Sequence, residues 1–159
     1  MKIRFKPFLV IVIPMLFLGC TDDRLFEGIH YIENKTWDTN EKIPFEFEVK
    51  DTNAVYDMLV NIRISGYYPY SNLFMQVYIT DPNGHLTKKL VEYTLAEASG
   101  KWVGKGLGDL YDYRLPSPDL NELRIFSIPG KYTVELRQVM RVEKLEGVMG
   151  VGIRVVKKS

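Results

Sequence analysis

The chain has 159 residues, 46% of them hydrophobic, and its 21 basic and 20 acidic side chains give a formal net charge of +1. This length suits one domain with its own core, and the charge gives no electrostatic case for nucleic-acid binding, which requires a basic face. The single cysteine, Cys20, excludes an intramolecular disulfide, so the fold has to be stabilised by packing.

Residues 1–19 have the pattern of a bacterial lipoprotein signal peptide. Three basic side chains precede an apolar run from Phe8 to Leu18, which is shorter than the roughly 20 residues that a membrane-spanning helix needs. Residues 16–20, Leu-Phe-Leu-Gly-Cys, resemble a lipobox, in which the cysteine is acylated and becomes the first residue of the mature protein. Lipidation of Cys20 would anchor the protein to a membrane. An ordinary secretory signal with an incidental cysteine is the alternative.

Cleavage before Cys20 would leave 140 residues with 18 basic and 20 acidic side chains, a mildly acidic mature protein. Residues 20–30 are expected to form the lipidated N-terminus and a polar tether, because Thr-Asp-Asp-Arg follows the cysteine directly. Residues 31–159 are expected to form a single domain.

This domain is predicted to be all-β. Apolar and polar side chains alternate, as in strands with one buried face, in five segments: 45–49, 58–65, 73–80, 132–137 and 149–155. The sequence Asp-Pro-Asn-Gly at 81–84 predicts a turn into a returning strand at 86–95, and Pro129-Gly130 predicts another turn. Helix is expected only as single turns beginning at Thr94 and Ser117.

Seven or eight such short strands predict an antiparallel two-sheet β-sandwich. Residues 130–136 are similar to the late strand of immunoglobulin-like sandwiches, which favours that topology. A jelly roll would produce much the same pattern and is the alternative.

No pattern in the sequence indicates catalysis, a metal or a cofactor. The two histidines, His30 and His85, are too few for a zinc site and have no nucleophile motif beside them. Residues 104–109 are glycine-rich, but their spacing differs from that of a dinucleotide-binding loop and no helix is predicted after them. Glycines that allow close backbone approach at a sheet edge are the favoured interpretation.

Aromatic side chains in the middle of the chain are the best candidates for binding a partner. We predict such a role for Tyr68, Tyr70, Asn72, Trp102 and Asp109. Tyrosine and tryptophan bury large amphipathic surfaces, which suits a protein or glycan interface. The alternative is that most of these rings cap the ends of the core, since exposed apolar patches are uncommon on monomers.

Four segments in order resemble the GldH family of gliding-motility lipoproteins of the Bacteroidota: residues 68–73, 100–109, 138–141 and 145–154. With the lipobox, the resemblance covers almost the whole mature chain. It implies a cell-envelope lipoprotein of the gliding machinery, which is tied to the type IX secretion apparatus, and it implies no catalytic residues. The expected location is the outer membrane. The acidic pair at 22–23 is similar to a signal by which these bacteria export lipoproteins to the outer leaflet. The sequence does not decide between the periplasmic and the external leaflet.

Two functions are therefore expected as alternatives. In the first, the protein is a non-enzymatic accessory subunit that binds other envelope proteins through residues 68–73 and 100–109. In the second, it is a cell-surface glycan-binding module, because aromatic rings on β-sandwiches commonly stack on sugars. The second requires an exposed shallow groove with two coplanar rings and polar side chains nearby.

Overall fold

The computed structural model of the chain describes residues 23–117, 120 and 126–158. The predicted signal peptide and Cys20 lie outside these residues. The described part contains one 3-10 turn (Glu33–Lys35) and these strands: β1 (Arg24–Tyr31), β2 (Thr36–Asp38), β3 (Ile43–Val49), β4 (Tyr56–Ser65), β5 (Asn72–Thr80), β6 (Leu86–Thr94), β7 (Lys105–Leu107), β8 (Leu110–Pro116), β9 (Gly130–Gln138), β10 (Lys144–Glu146) and β11 (Val148–Lys157).

The strands form two main antiparallel sheets that enclose one hydrophobic core. The five-stranded sheet has the order β1-β11-β4-β8-β7, and the four-stranded sheet has the order β3-β9-β5-β6. Phe26 of β1 stacks on Phe47 of β3 with ring centroids 5.3 Å apart, which joins the sheets directly. A ribbon of β10 and β2 adds the fully buried Trp37 and Leu145. The predicted antiparallel β-sandwich is confirmed.

The strand pairs are nested along the chain. Strand β1 pairs with β11, β3 with β9, β4 with β8, and β5 with β6. This order is that of a jelly roll, the alternative that the sequence left open, rather than of an immunoglobulin-like sandwich. Alternation predicts which face of a strand is buried, but it does not determine which strand becomes its neighbour.

The predicted alternation accounts for the core. Along β3, Ile43, Phe45, Phe47 and Val49 are buried, while the residues between them are exposed. The inward side chains of the central strand β4 are at most 2% exposed from Met58 to Ile64. Each such side chain stabilises the fold by about 1.5–3 kcal/mol through burial. The predicted turn at residues 81–84 is confirmed, with the Gly84 N–H donating to the Asp81 carbonyl at 3.0 Å and a Gly84 φ of +84°.

Two local expectations differ from the structure. Residues 24–30, expected in the tether, belong to β1, whose alternation is obscured by a register shift between Arg24 and Phe26. No helical turn follows Thr94, because the N–H groups of Leu95 and Ala96 both donate to the Ser71 carbonyl. Most of the turn predicted after Ser117 lies outside the described residues.

Candidate functional site

The predicted aromatic residues Tyr68, Tyr70 and Trp102 form one cluster with Tyr111 at an end of the sandwich, which we call the ring cluster. The Tyr68 centroid lies 5.9 Å from that of Tyr70 and 6.3 Å from that of Trp102, and Trp102 lies 5.7 Å from Tyr111. Tyr68 is buried, and the other three rings are half-buried against the core. Most of this aromatic surface therefore closes the end of the sandwich.

The other predicted residues lie at the same end. The Tyr68 hydroxyl donates to the Asn72 carbonyl at 2.8 Å, and the Asn72 amide donates to the Glu92 carboxylate at 2.6 Å. The Asp109 carbonyl accepts a hydrogen bond from the Gly66 N–H at 2.7 Å. Burial, with a contribution from Tyr70, raises the pKa of Tyr68, so this phenol stays neutral and holds its hydrogen bond.

The rings of the cluster do not form a flat platform. The interplanar angles are 75° for Tyr68 and Tyr70, 55° for Tyr68 and Trp102, and 44° for Trp102 and Tyr111. The coplanar exposed pair that the glycan-binding alternative requires is therefore absent from the ring cluster.

Two large apolar side chains beside the ring cluster are almost fully exposed. Tyr67 is 81% exposed on the β4–β5 connection, and Leu107 is 84% exposed at the end of β7. The hydrogen bond between Gly66 and Asp109 joins these two connections. We call Tyr67 and Leu107 the distal pair. The sequence does not distinguish Tyr67 from its buried neighbour Tyr68, because the alternation stops at the end of β4.

The distal pair lies far from the start of the domain. In the five-stranded sheet, Arg24 is level with Val156, whereas Ser65, the last residue of β4, is at the opposite end of the strands. Eight residues of strand separate these two levels, which corresponds to roughly 26 Å. A membrane anchor attached just before β1 would therefore be remote from Tyr67 and Leu107.

The glycine-rich segment forms the edge of the five-stranded sheet, as the sequence predicts. A Cβ at Gly104 would lie 2.6 Å from the Tyr113 ring, and one at Gly106 would lie 2.9 Å from the Tyr111 ring. The segment thus lies directly on two aromatic side chains, and strand β8 follows it where a phosphate-binding loop would need a helix. Burial raises the pKa of Tyr113 to about 12, and its hydroxyl donates to the Leu95 carbonyl at 2.8 Å.

A second feature is a groove of about 600 Å³ on the outer face of the five-stranded sheet, which we call the outer groove. A row of residues in register crosses it: Tyr31 on β1, Gly150 on β11, Arg63 on β4, Asp112 on β8 and Lys105 on β7. Since Gly150 has no side chain, the Arg63 guanidinium reaches to 5.9 Å from the centre of the Tyr31 ring.

Paired charges fix the polar side chains of the outer groove. Arg63 donates two hydrogen bonds to the Asp112 carboxylate, at 2.6 and 2.9 Å. Beside them, Glu27 of β1 accepts from Arg114 at 2.7 Å and from Arg154 at 2.8 Å. Bidentate pairs of this kind hold both side chains in one orientation.

The environment of Glu27 determines its ionisation. Burial raises the pKa of Glu27, but the hydrogen bond from Arg24 and the charges of Arg114 and Arg154 outweigh burial and hold the pKa below its usual value. Glu27 is therefore a carboxylate at neutral pH and a shared partner for three arginines.

Sequence reasoning missed the outer groove. The alternation does place Asn61 and Arg63 on the polar face of β4, but Arg63 pairs with a residue 49 positions away. This contact forms because β4 and β8 are neighbours in the sheet, and the alternation does not predict which strands become neighbours.

Side chains that could hold a metal ion are not assembled in the described residues. Within residues 23–117, 120 and 126–158, no three histidine, cysteine or carboxylate side chains are grouped to hold a metal ion. His30 lies on β1, and His85 lies on the β5–β6 turn with its Nδ1 3.2 Å from the Asp81 carboxylate. A membrane-crossing helix of sufficient length and hydropathy is not found in that part of the chain either.

Comparison with known proteins identifies full-length relatives. The model of the GldH lipoprotein family matches residues 24–155. A gliding motility lipoprotein GldH homolog of Christiangramia forsetii is 32% identical, and the match covers 100% of this chain and 99% of that protein. Gliding motility lipoprotein GldH of Flavobacterium johnsoniae is 29% identical, and the match covers 100% of both chains. The predicted family resemblance is confirmed.

Solved structures give weaker likenesses. A carbohydrate-binding module, CBM28, specific for non-crystalline cellulose has a TM-score of 0.48 at 11% identity, over 84% of this chain and 73% of that one. The VP2 subviral particle of infectious bursal disease virus has a TM-score of 0.29 at 10% identity, over 96% and 38%. Both scores are below 0.5, so neither likeness bears on function.

Proposed function

The chain belongs to the GldH lipoprotein family, and we propose that it is a non-enzymatic accessory subunit of the gliding machinery in the cell envelope. The observation that supports the proposal is its alignment, over 100% of both sequences, with a gliding motility lipoprotein of Flavobacterium johnsoniae. The link to the type IX secretion apparatus is part of the same proposal.

The proposed anchor is an acyl-modified Cys20 in the outer membrane. Because β1 begins at Arg24, only residues 21–23 separate the cysteine from the sheet. Three extended residues span about 10 Å, so the start of the domain would lie close to the lipid surface. The leaflet, periplasmic or external, is decided by whether a protease added to intact cells removes the domain.

The proposed contact with other envelope proteins is the distal pair together with the exposed surface of residues 68–73 and 100–109. Tyr67 and Leu107 are large, exposed apolar side chains on neighbouring connections. Tyrosine is among the side chains that contribute most of the binding energy at the centre of an interface, and Leu107 adds exposed apolar surface beside it. Since they lie at the end of the sheet remote from Arg24, they would face partners beyond the lipid surface.

The experiment is crosslinking of the lipoprotein in its native membrane, purification under denaturing conditions and identification of the attached proteins. We expect gliding or type IX secretion components from the wild-type protein, and their loss from the Tyr67→Ser, Leu107→Ser double variant. A matched control is Leu86→Ser with Leu90→Ser, because these leucines on β6 are 50% and 57% exposed on the other sheet.

Two results would count against the proposal. If no protein is recovered from membranes in which a known complex crosslinks well, the accessory role is wrong. If both double variants retain the same partners, the distal pair is not the contact surface.

A further inference from the structure

The outer groove carries an excess of positive charge that the assigned family does not explain. Its charged lining residues are Arg63, Lys105 and Arg114 with the carboxylate Asp112. Counting Glu27 and Arg154, which lie directly beside them, four cations face two carboxylates. The mature chain as a whole has the opposite excess, with 18 basic and 20 acidic side chains. Positive charge is therefore concentrated in a concave part of a mildly acidic protein, and such a cleft attracts anions.

We propose that the outer groove binds an acidic polysaccharide, a sugar chain that carries carboxylate groups. This inference is independent of the accessory role proposed above. Its first support is the juxtaposition of donors and acceptors. Asp112 lies in register between Arg63 and Lys105, so guanidinium, carboxylate and ammonium groups follow one another across three strands. Sugar hydroxyls both donate and accept hydrogen bonds, and carboxylates accept from guanidinium and ammonium groups.

The second support is that the backbone of the groove floor is already hydrogen-bonded. Strand β4 pairs with β11 on one side and with β8 on the other, so its N–H and C=O groups are used in the sheet. A peptide could not add as a strand on β4, because strand addition requires a free edge and the edges of this sheet are β1 and β7. Over the floor of the groove, recognition has to come from side chains.

The third support is the apolar surface along the groove. Ile29 and Val103, at opposite sides of the groove, are 48% and 51% exposed, and Tyr31 next to Ile29 on β1 is 61% exposed. Such side chains can cover the C–H faces of sugar rings while the charged residues between them hold the polar groups. From β1 to β7 the sheet contains four strand spacings, roughly 19 Å, which leaves room for several sugar units.

The test is affinity electrophoresis of the full lipoprotein in detergent micelles, in native gels that contain a polysaccharide. The probes are polygalacturonate and its methyl-esterified form, which has the same backbone without the negative charge. We expect polygalacturonate to retard the protein and the ester to retard it at least tenfold less strongly. We also expect Lys105→Gln and, separately, Arg114→Gln to weaken binding about tenfold, which corresponds to about 1.4 kcal/mol.

A matched control is Lys131→Gln, on the outer face of the other sheet, where Lys131 pairs with Glu46 at 2.7 Å. It removes the same charge and should bind as the wild type does. Lys105→Gln leaves the contacts of Glu27 intact, so its result stands if Arg114→Gln proves unstable. Any of four results would overturn the proposal. These are no retardation by polygalacturonate, equal retardation by polygalacturonate and its ester, equal weakening of binding by Lys131→Gln and Lys105→Gln, and binding of polyglutamate as strong as that of polygalacturonate.

Discussion

Glu27 and Arg114 are in direct contact, with Oε1 2.7 Å from Nη2, although their strands are not neighbours. Strand β1 carries Glu27 and β8 carries Arg114, and both β11 and β4 lie between them. Arg154 of β11 and Asn61 of β4 bond to the same carboxylate. One side chain of the edge strand β1 is thus connected to the three strands beyond it.

This connection predicts the effect of Glu27→Gln. The substitution removes a charge shared by three arginines, and we expect it to lower the free energy of unfolding at pH 7 by about 2 kcal/mol. The measurement is urea denaturation. The control is Glu46→Gln, whose partner Lys131 and whose own side chain are both more than half exposed, and its effect should be below about 1 kcal/mol. Equal effects of the two changes would contradict the role of Glu27.

The same site predicts a pH dependence. The pKa of Glu27 is lower in the folded protein than its ordinary value of 4.5. Its contribution to stability is therefore fully present above pH 4.5 and is lost as the pH falls through the folded-state pKa. The difference in unfolding free energy between wild type and Glu27→Gln should be constant above pH 6 and should shrink below pH 4.5. A difference that grows on acidification would exclude this explanation.

A buried amide predicts a second sensitive position. Gln138 is fully buried; its Nε2 donates to the carbonyls of Trp37, Val142 and Glu143, and its Oε1 accepts from the Met140 N–H. Gln138→Leu would remove all of these hydrogen bonds, and only the Glu143 carbonyl has a second donor in the described residues outside the strand ladders, the Thr39 N–H at 2.7 Å. We therefore expect a loss of about 2 kcal/mol in unfolding free energy. The other glutamine, Gln76 on the outward face of β5, provides the control, and Gln76→Leu should change stability by less than about 0.5 kcal/mol. Thermal denaturation of both variants would test this difference.

Close backbone approach predicts a requirement for glycine at position 152. A Cβ on Gly152 would overlap the carbonyl oxygen of Gly28 on β1. We expect Gly152→Ala to cost about 2 kcal/mol by pushing β1 away from β11, and hydrogen exchange of the β1 amides should accelerate. At Gly150 the nearest backbone oxygen would be 3.2 Å away, so Gly150→Ala should be tolerated with a small shift. β1 amides that stay protected in Gly152→Ala would contradict this prediction, because they would show that the pairing of β1 with β11 accommodates the methyl group.

The ring cluster predicts that Trp102 and Tyr67 differ in their importance for stability. Trp102 packs against Tyr68 and Tyr111, so Trp102→Ala should lower the unfolding free energy by about 2 kcal/mol, less than for a fully buried tryptophan. Tyr67 is 81% exposed, and Tyr67→Ala should change the unfolding free energy by less than about 0.5 kcal/mol. Urea denaturation of both variants tests the assignment of Trp102 to the core and Tyr67 to the surface. If Trp102→Ala leaves the free energy of unfolding unchanged, the Trp102 ring does not belong to the core.

Much of the fold follows from local patterns. The alternation at 45–49 and 73–80 predicts strands β3 and β5 with the correct buried faces, and Asp-Pro-Asn-Gly predicts the turn between β5 and β6. Strand β1 escapes such prediction because its alternation is interrupted near Arg24 and its outward residues are polar only in part. The candidate residues Tyr68 and Trp102 lie together in the ring cluster, but the sequence does not predict how deeply each is buried.

The sequence by itself determined the family, the all-β class and the two faces of most strands, because these depend on residue type and spacing within a few positions. Only the tertiary structure decided the jelly-roll order, the exposure of Tyr67 and Leu107 beside buried Tyr68, and the row from Tyr31 to Lys105 across the outer groove. These features require strands distant in sequence to become neighbours. That choice is made by the packing of the two sheets as a whole, and no short segment contains it.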